Sequence, residues 1–359
     1  MEIIRLTKKN ASQVVQKVCE VVSLNGIVVL PSDTVYGLAV NALSKEAVSR
    51  LIAFKDRPKG KAVSIAVPTI EILSQYAIIN NKQKQFAETL LPGPFTLVLS
   101  SLHKTDVRLE AEDGTLGIRI PNNNFIQKIT TKLSFPITAT SANISGKGPH
   151  YAIDAFLNTL SQKKRDQLSF IVDAGTLPNN APSTVLHMEK DTLKILRPGA
   201  FMLQKKETFQ SESIEQTMNI AQKLIKKYQQ NAEKKSLLFI LKGDLGTGKT
   251  VFAKGVGAHI GVTETIVSPT YIVCCEYTTT HSLYKKFNHF DLYNVETMEE
   301  LLALNITHVL TPNSITLVEW GERLSSSLPL LHKKYLKTIL IIFTDSGKNT
   351  RQLDVYEVN

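Results

Sequence analysis

Residues Leu237–Thr250 read LLFILKGDLGTGKT. Leu237 to Leu241 is a short apolar run of the kind that forms a buried strand. The eight residues after Lys242, namely Gly243, Asp244, Leu245, Gly246, Thr247, Gly248, Lys249 and Thr250, fit the phosphate-loop pattern GxxxxGK[ST]. Behind a strand and at the head of a helix, this pattern has a physical task. Glycines let backbone N–H groups turn inward around a β-phosphate, the lysine reaches the β- and γ-phosphates, and the last hydroxyl meets magnesium. Nucleotide binding by an α/β domain is the first expectation. More than 200 residues precede the loop, so the chain must do something else as well.

Composition sets the outer bounds. At 359 residues the chain is too long for one ordinary core and predicts two domains. An apolar fraction of 43% with 21% charged residues is that of a soluble globular protein, and no run of 18 apolar residues or signal-peptide pattern occurs. A cytoplasmic protein without membrane contact is expected. Only Cys19, Cys274 and Cys275 occur, without CxxC spacing, so neither a disulfide framework nor bound zinc is expected. The net charge of +10 is uneven: 25 Lys and Arg against 16 Asp and Glu lie at or before Lys205. An anionic partner for the first half, nucleotide or RNA, fits that excess.

Patterning along the chain separates two α/β regions. Asn10 followed by Gln13 resembles a helix start, and Val14, Val15, Val18, Val21 and Val22 make one apolar face. Strands are expected at 27–30, 63–67, 95–99, 117–120, 137–140, 170–173 and 193–196, with helices at 44–54, 82–91, 124–133 and 151–163. Residues 203–213 are polar without an apolar period and read as a linker, which divides the chain into domains 1–205 and 206–359. A helix over 214–230 follows, then strands at 237–241, 271–277, 315–319 and 336–343.

In the second region, two carboxylates follow apolar runs: Asp291 in HFDLY and Glu319 in ITLVEW. Strand ends of this kind present the second acid to a nucleotide-bound metal. No NKxD element for guanine occurs, which points to adenine by default or to weak base selection. A small-molecule kinase is disfavoured, because only Arg323 and Arg351 follow Thr250 to build a lid. The ordered set GDLGTGKT, SPTY (Ser268–Tyr271), HFDLY (His289–Tyr293) and VEW (Val318–Trp320) resembles the TsaE family, small ATPases of tRNA threonylcarbamoyladenosine synthesis, over about 210–359. The resemblance implies a P-loop NTPase-like fold and nucleotide binding by Lys249 and Thr250. It also places Glu319 and Trp320 at the site, with Mg2+ near Thr250, Asp291 and Glu319. Asn294 stands where that family usually has Arg after the tyrosine.

The first region carries polar clusters at expected strand ends: PSDTVYGL (Pro31–Leu38), KDRP (Lys55–Pro58), RIP (Arg119–Pro121), TSANISG (Thr140–Gly146), PST (Pro182–Thr184) and RPG (Arg197–Gly199). Together they supply the cations Lys55, Arg57, Arg119 and Arg197 with hydroxyl and amide groups from Ser141, Asn143, Ser183 and Thr184, and no activated Ser, Cys or His. Such a set suits neutralisation of phosphate oxygens and orientation of an already anionic nucleophile. The clusters are similar in sequence and order to the YrdC/TsaC family of threonylcarbamoyl-AMP synthases over about 5–205.

That resemblance implies a mixed α/β domain that joins L-threonine, bicarbonate and ATP with release of pyrophosphate. Lys55, Arg57, Ser141 and Asn143 match its paired motifs. Thr34 and the segment after it would line the threonine pocket, Arg119, Ser141, Ser183 and Arg197 would contact the nucleotide, and Ser32, Tyr36 and Thr140 join them as substrate or nucleotide residues. The two resemblances in one chain imply a fusion that feeds a TsaB–TsaD transferase complex and reaches tRNA only through it. The competing reading is an RNA-binding module with a regulatory ATPase. Aromatics at 7% and the lack of an RNP-like segment count against it.

Overall fold

The computed structural model describes residues 1–178, 180–189, 192–199, 203–230, 236–295, 298–324, 336–347 and 350–358. The chain forms two compact units, Met1–Ala200 and Phe201–Asn359. Among the described residues no helix is long and apolar enough to cross a membrane.

Unit one is a mixed sheet of strands β1 (Glu2–Arg5), β2 (Val28–Leu30), β3 (Gly37–Ala39), β4 (Ser64–Ala66), β5 (Phe95–Ser100), β6 (Thr115–Arg119), β7 (Ile137–Ser141), β8 (Phe170–Asp173), β9 (Thr184–Glu189) and β10 (Thr192–Arg197). Their spatial order is β1-β8-β2-β3-β7-β4-β6-β5-β9-β10. The helix Ala11–Ser23 buries Val14, Val15, Val18, Cys19 and Val22 against β2 and β8, each buried valine contributing about 1.5–3 kcal/mol. Asn10 precedes it as expected but does not cap it: the amide turns back to Thr7 N and Arg5 O.

One expected helix is broken. Ile153, Phe156, Leu157 and Leu160 are buried at helical spacing, yet 151–163 forms only the short helices Ile153–Leu157 and Gln162–Arg165. The Thr159 hydroxyl donates to Phe156 O at 2.7 Å, and the Thr159 and Leu160 N–H groups bond three residues back rather than four. A Thr after Asn158 competes with the helix ladder for its own carbonyls.

Unit two is a seven-stranded sheet of β11 (Leu203–Ser211), β12 (Ser236–Lys242), β13 (Cys274–Thr278), β14 (Lys286–Asp291), β15 (Ser314–Glu319), β16 (Leu336–Gly347) and β17 (Thr350–Val358), in the order β11-β17-β16-β12-β15-β14-β13. The central β16, β12, β15 and β14 run parallel. The helices Ile214–Gln230 and Lys249–His259 cover the core, where Phe252 meets Phe239 and Phe343 edge-on. They approach so closely that a Cβ at Gly255 would stand 2.6 Å from Met218 Cα.

The segment 203–213 is not a linker. Most of it is β11, paired antiparallel with β17, so a boundary between 205 and 206 falls inside a strand. Its polarity misled because an edge strand is held by its ladder and by cross-strand pairs. Lys205 meets Asp354 at 2.7 Å, Thr208 Oγ1 donates to Asp354 at 2.6 Å, and Lys227 pairs with Glu207.

Candidate functional site

The strand ends of unit one surround a cavity of about 750 Å3. Register brings them there: Gly37 on β3 faces Ser141 on β7, Ala66 on β4 faces Arg119 on β6, and Phe95 on β5 faces Thr184 on β9. The RPG and PST turns meet because Gly199 has no side chain, since a Cβ there would strike Pro182 O at 2.3 Å. Among the described residues six cationic ones line the space, Lys55, Arg57, Lys61, Arg119, Lys147 and Arg197, against one carboxylate, Asp113, and no His or Cys. The Asp113 carboxyl sits below its ordinary range because Thr115 donates to it, which makes it a poor proton acceptor.

Lys55 closes the helix Lys45–Lys55, which Ser44 caps and left-handed Asp56 ends. It is 1% exposed. Its Nζ donates to Ser141 O at 2.6 Å, Asn143 O at 2.8 Å and Asn143 Oδ1 at 3.0 Å. Burial, then the charges of Arg57 and Lys61, pushes this ammonium down to about 7. Opposing them, three oxygens that accept at this nitrogen match the three N–H groups of the charged form. Lys55 thereby ties the helix end to the loop after β7, where Ser141 Oγ donates to Asn143 Oδ1 at 2.6 Å.

Arg57 donates to the carbonyls of Lys61 (2.8 Å) and Ala62, fixing the segment that carries Lys61. Arg119 pairs with Asp33 at 2.9 Å, and its buried Nε has no partner among the described residues. Arg197 donates to Ser183 O at 2.8 Å and Ser183 Oγ at 3.0 Å. Burial lowers Arg57 and Arg197, and Arg119 adds to the effect on Arg197, but guanidinium stays charged. A cavity lined by this many cationic side chains can hold a polyanion.

Ser32, Thr34 and Thr140 also line the cavity. Ser32 folds its own loop by accepting from Thr34 N and Val35 N, both at 3.2 Å. Tyr36 is not among the lining residues. It is fully buried, its hydroxyl donates to Gly175 O at 2.7 Å and accepts from Ala174 N at 2.8 Å, and burial pushes it up to about 12. Three contributors were not singled out from sequence. Lys61 and Lys147 extend KDRP and TSANISG by a few residues, and Asp33 sits inside PSDTVYGL, where nothing marked it as the partner of an arginine 86 residues away.

In unit two the phosphate loop joins β12 to the helix Lys249–His259, with left-handed backbone at Gly246 (φ 82°) and Gly248 (φ 99°). Lys249 Nζ donates to Gly243 O (2.6 Å) and Asp244 O (2.8 Å) and lies 4.2 Å from the Trp320 ring centre. Asp291 and Glu319 are register partners at the ends of β14 and β15. Thr250 Oγ1 donates to Glu319 Oε2 at 3.1 Å. The Ser268 and Thr270 hydroxyls donate to Asp291 Oδ2 at 2.6 and 2.8 Å.

All four ordered motifs meet at this loop. His289, unmarked beforehand although two residues before Asp291 and so on the same strand face, is fully buried and bonds Glu319 at 2.9 Å. Asn294 donates to Thr270 O at 3.0 Å. The oxygen donors of Thr250, Asp291 and Glu319 fit a hard divalent cation, although no cluster of three or more His, Cys, Asp or Glu occurs among the described residues.

Residues 20–199 match the family model Sua5_yciO_yrdC, described as "Telomere recombination". The chain belongs to the Sua5/YciO/YrdC family. Residues 211–353 match a second model, "Threonylcarbamoyl adenosine biosynthesis protein TsaE", so a Sua5/YrdC domain is followed by a TsaE domain. A Methanocaldococcus jannaschii relative is 33% identical over 51% of this chain and 84% of its own length. Proteins named threonylcarbamoyl-AMP synthase, an enzyme activity, are similar from Pyrococcus abyssi (31% identical; 50% of this chain, 52% of that protein) and mouse (27%; 49% and 60%). The chain thus spans about half to three fifths of those two. Among solved structures, P. abyssi Sua5 with L-threonine superposes with a TM-score of 0.51 at 20% identity over 94% of this chain and 98% of its own. That likeness is one of fold.

Proposed function

We propose that the Sua5/YrdC domain makes L-threonylcarbamoyl-AMP from L-threonine, bicarbonate and ATP, releasing pyrophosphate. The observation that carries this reading is the cavity lined, among the described residues, by six cationic ones and one carboxylate. The threonine amine takes up bicarbonate with loss of water. One oxygen of the resulting carbamate attacks the α-phosphorus, and the bond to the bridging β-oxygen breaks. Nucleophile and leaving group are both anionic, so fixed cations lower the barrier where a general base would not. Lys55, Arg57, Ser141 and Asn143 are assigned to the reacting centre. Arg119, Thr140, Ser183 and Arg197 go to the nucleotide, and Ser32 and Thr34 to threonine. Tyr36 shapes the pocket wall from behind.

The TsaE domain, in this reading, binds ATP through Gly243–Thr250 with Glu319 and Trp320 and hydrolyses it to support transfer of the threonylcarbamoyl group to the tRNA adenosine beside the anticodon. Magnesium, when bound there, would neutralise phosphate charge. Thr250, Asp291 and Glu319 hold the oxygens that suit it. A cytoplasmic TsaB–TsaD-type complex would perform the transfer, so tRNA is met indirectly.

ATP breakdown with and without L-threonine and bicarbonate, resolving pyrophosphate from orthophosphate, tests both assignments. Threonine-dependent pyrophosphate should vanish in Lys55→Ala and persist in Lys249→Ala. Pyrophosphate release that ignores threonine would overturn the synthase reading.

A further inference from the structure

Phe287, His289 and Asp291 alternate along one face of β14. The His289 ring stacks on Phe287 with 6.0 Å between centres and 15° between planes, and Phe287 stacks in turn on Tyr277 of β13. Phe287 belongs to the core, so the imidazole has its back to the core and its edge to the site. It is fully buried. Its Nε2 lies 2.9 Å from Glu319 Oε1, two residues beyond its register partner Leu317 on β15. Facing a carboxylate, Nε2 carries the hydrogen and donates it. Nδ1 is buried without a partner among the described residues, which costs stability that a phenyl ring in the same stack would not. What an imidazole adds at this position is therefore its N–H on Glu319.

We propose that His289 is a positioning residue of the second unit: it holds Glu319 Oε1 so that Oε2 stays turned toward Thr250 and a divalent cation bound there with nucleotide. This rests on the reading of Gly243–Thr250 as a nucleotide and magnesium site. Glu319 is 2% exposed, and its Oε2 accepts from Thr250 Oγ1 at 3.1 Å. That hydroxyl is the group the same reading gives to magnesium, whereas the anchor at Oε1 does not depend on the ligand. A carboxylate that meets a cation is fixed by hydrogen bonds to its other oxygen, because its side-chain torsions otherwise spread over several rotamers. The stack Tyr277–Phe287–His289 thus carries the rigidity of the core to the end of β15, where Glu319 uses it.

Trp320 is the single tryptophan of the chain and lies under Lys249, so its fluorescence reports this site. The full chain is titrated with ATP in excess magnesium and again in EDTA, and the ratio of the two affinities measures what the cation contributes. His289→Phe keeps the ring on Phe287 and removes the donor, while His289→Gln keeps a donor and removes the ring. His289→Phe should lose about 10-fold of the magnesium-dependent tightening with its affinity in EDTA unchanged, and His289→Gln should retain most of it. In a Glu319→Gln background His289→Phe should change nothing further, since the two side chains act as one unit. Wild-type behaviour of His289→Phe, an equal loss with and without magnesium, or a loss that persists in Glu319→Gln would overturn the proposal and leave His289 a packing residue. Lys249→Ala separates the two levels: if it leaves the nucleotide response intact, the loop reading fails and the proposal falls with it. If it abolishes the response while His289→Phe matches wild type, only the role of His289 falls.

Discussion

Asp33→Asn tests whether the cation-rich cavity is held open by one buried carboxylate. Asp33 and Arg119 have side chains only 8% and 9% exposed. The Asp33 carboxylate accepts from Arg119 Nη2 at 2.9 and 3.2 Å and from Asn122 N at 3.3 Å. Asparagine keeps the shape, removes the charge and turns an amide donor toward one of those donors. Breaking a buried pair at one partner costs about 3–5 kcal/mol, because the surviving charge stays desolvated. For a unit of this size each kcal/mol lowers the melting temperature by about 2–4 °C, so a fall of roughly 6–20 °C is expected.

Circular dichroism of the full chain would follow that transition, while Trp320 fluorescence, confined to the second unit, should not move. Added pyrophosphate should return part of the loss by supplying Arg119 with a new anion. A shift under about 2 °C would refute the reasoning, because Arg119 would then find solvent or another partner at little cost.

Lys55→Met removes a group whose folded pKa lies near 7 against 10.5 in the unfolded chain. Between those values the unfolded state binds the extra proton, so wild-type stability rises with pH. Relative to Lys55→Met it should gain about 2 kcal/mol from pH 7 to 9 in urea unfolding; a flat difference would mean that the three oxygens retain the proton. Gly199→Ala drives a Cβ into Pro182 O. It should cost about 1–3 kcal/mol and weaken nucleotide binding in unit one, which calorimetry reads. Thr250→Val removes the hydroxyl that meets Glu319 and should abolish orthophosphate release by the second unit while sparing threonine-dependent pyrophosphate.

Both α/β units were visible in patterning because β2 in the first and β12 in the second are buried throughout and read as apolar runs. The second site was legible through fixed local spacing, since a phosphate loop is one contiguous turn. The first was legible only as a collection, its parts scattered over six turns that the sheet gathers. What stayed hidden was set by partners far along the chain. Tyr36 looked like a pocket residue until Ala174 and Gly175 claimed its hydroxyl. Asp33 looked like turn material until Arg119 appeared beside it. β11 was hidden for another reason: its stabilisation lies in backbone pairing and charge pairs, which leave no apolar period to read.

That strand bears on how the chain can be divided. The TsaE family match begins at residue 211, the last residue of β11, so an excision guided by homology would discard almost all of it. Stripped of β11, β17 becomes an exposed, ready template for another chain, and Asp354 loses Lys205 and Thr208. An isolated second unit cut there would tend to self-associate, and any loss of function on separation would be mistaken for dependence on the first unit. The junction of this fusion is a component of the second domain rather than a tether, and a fair dissection must leave Leu203 in place.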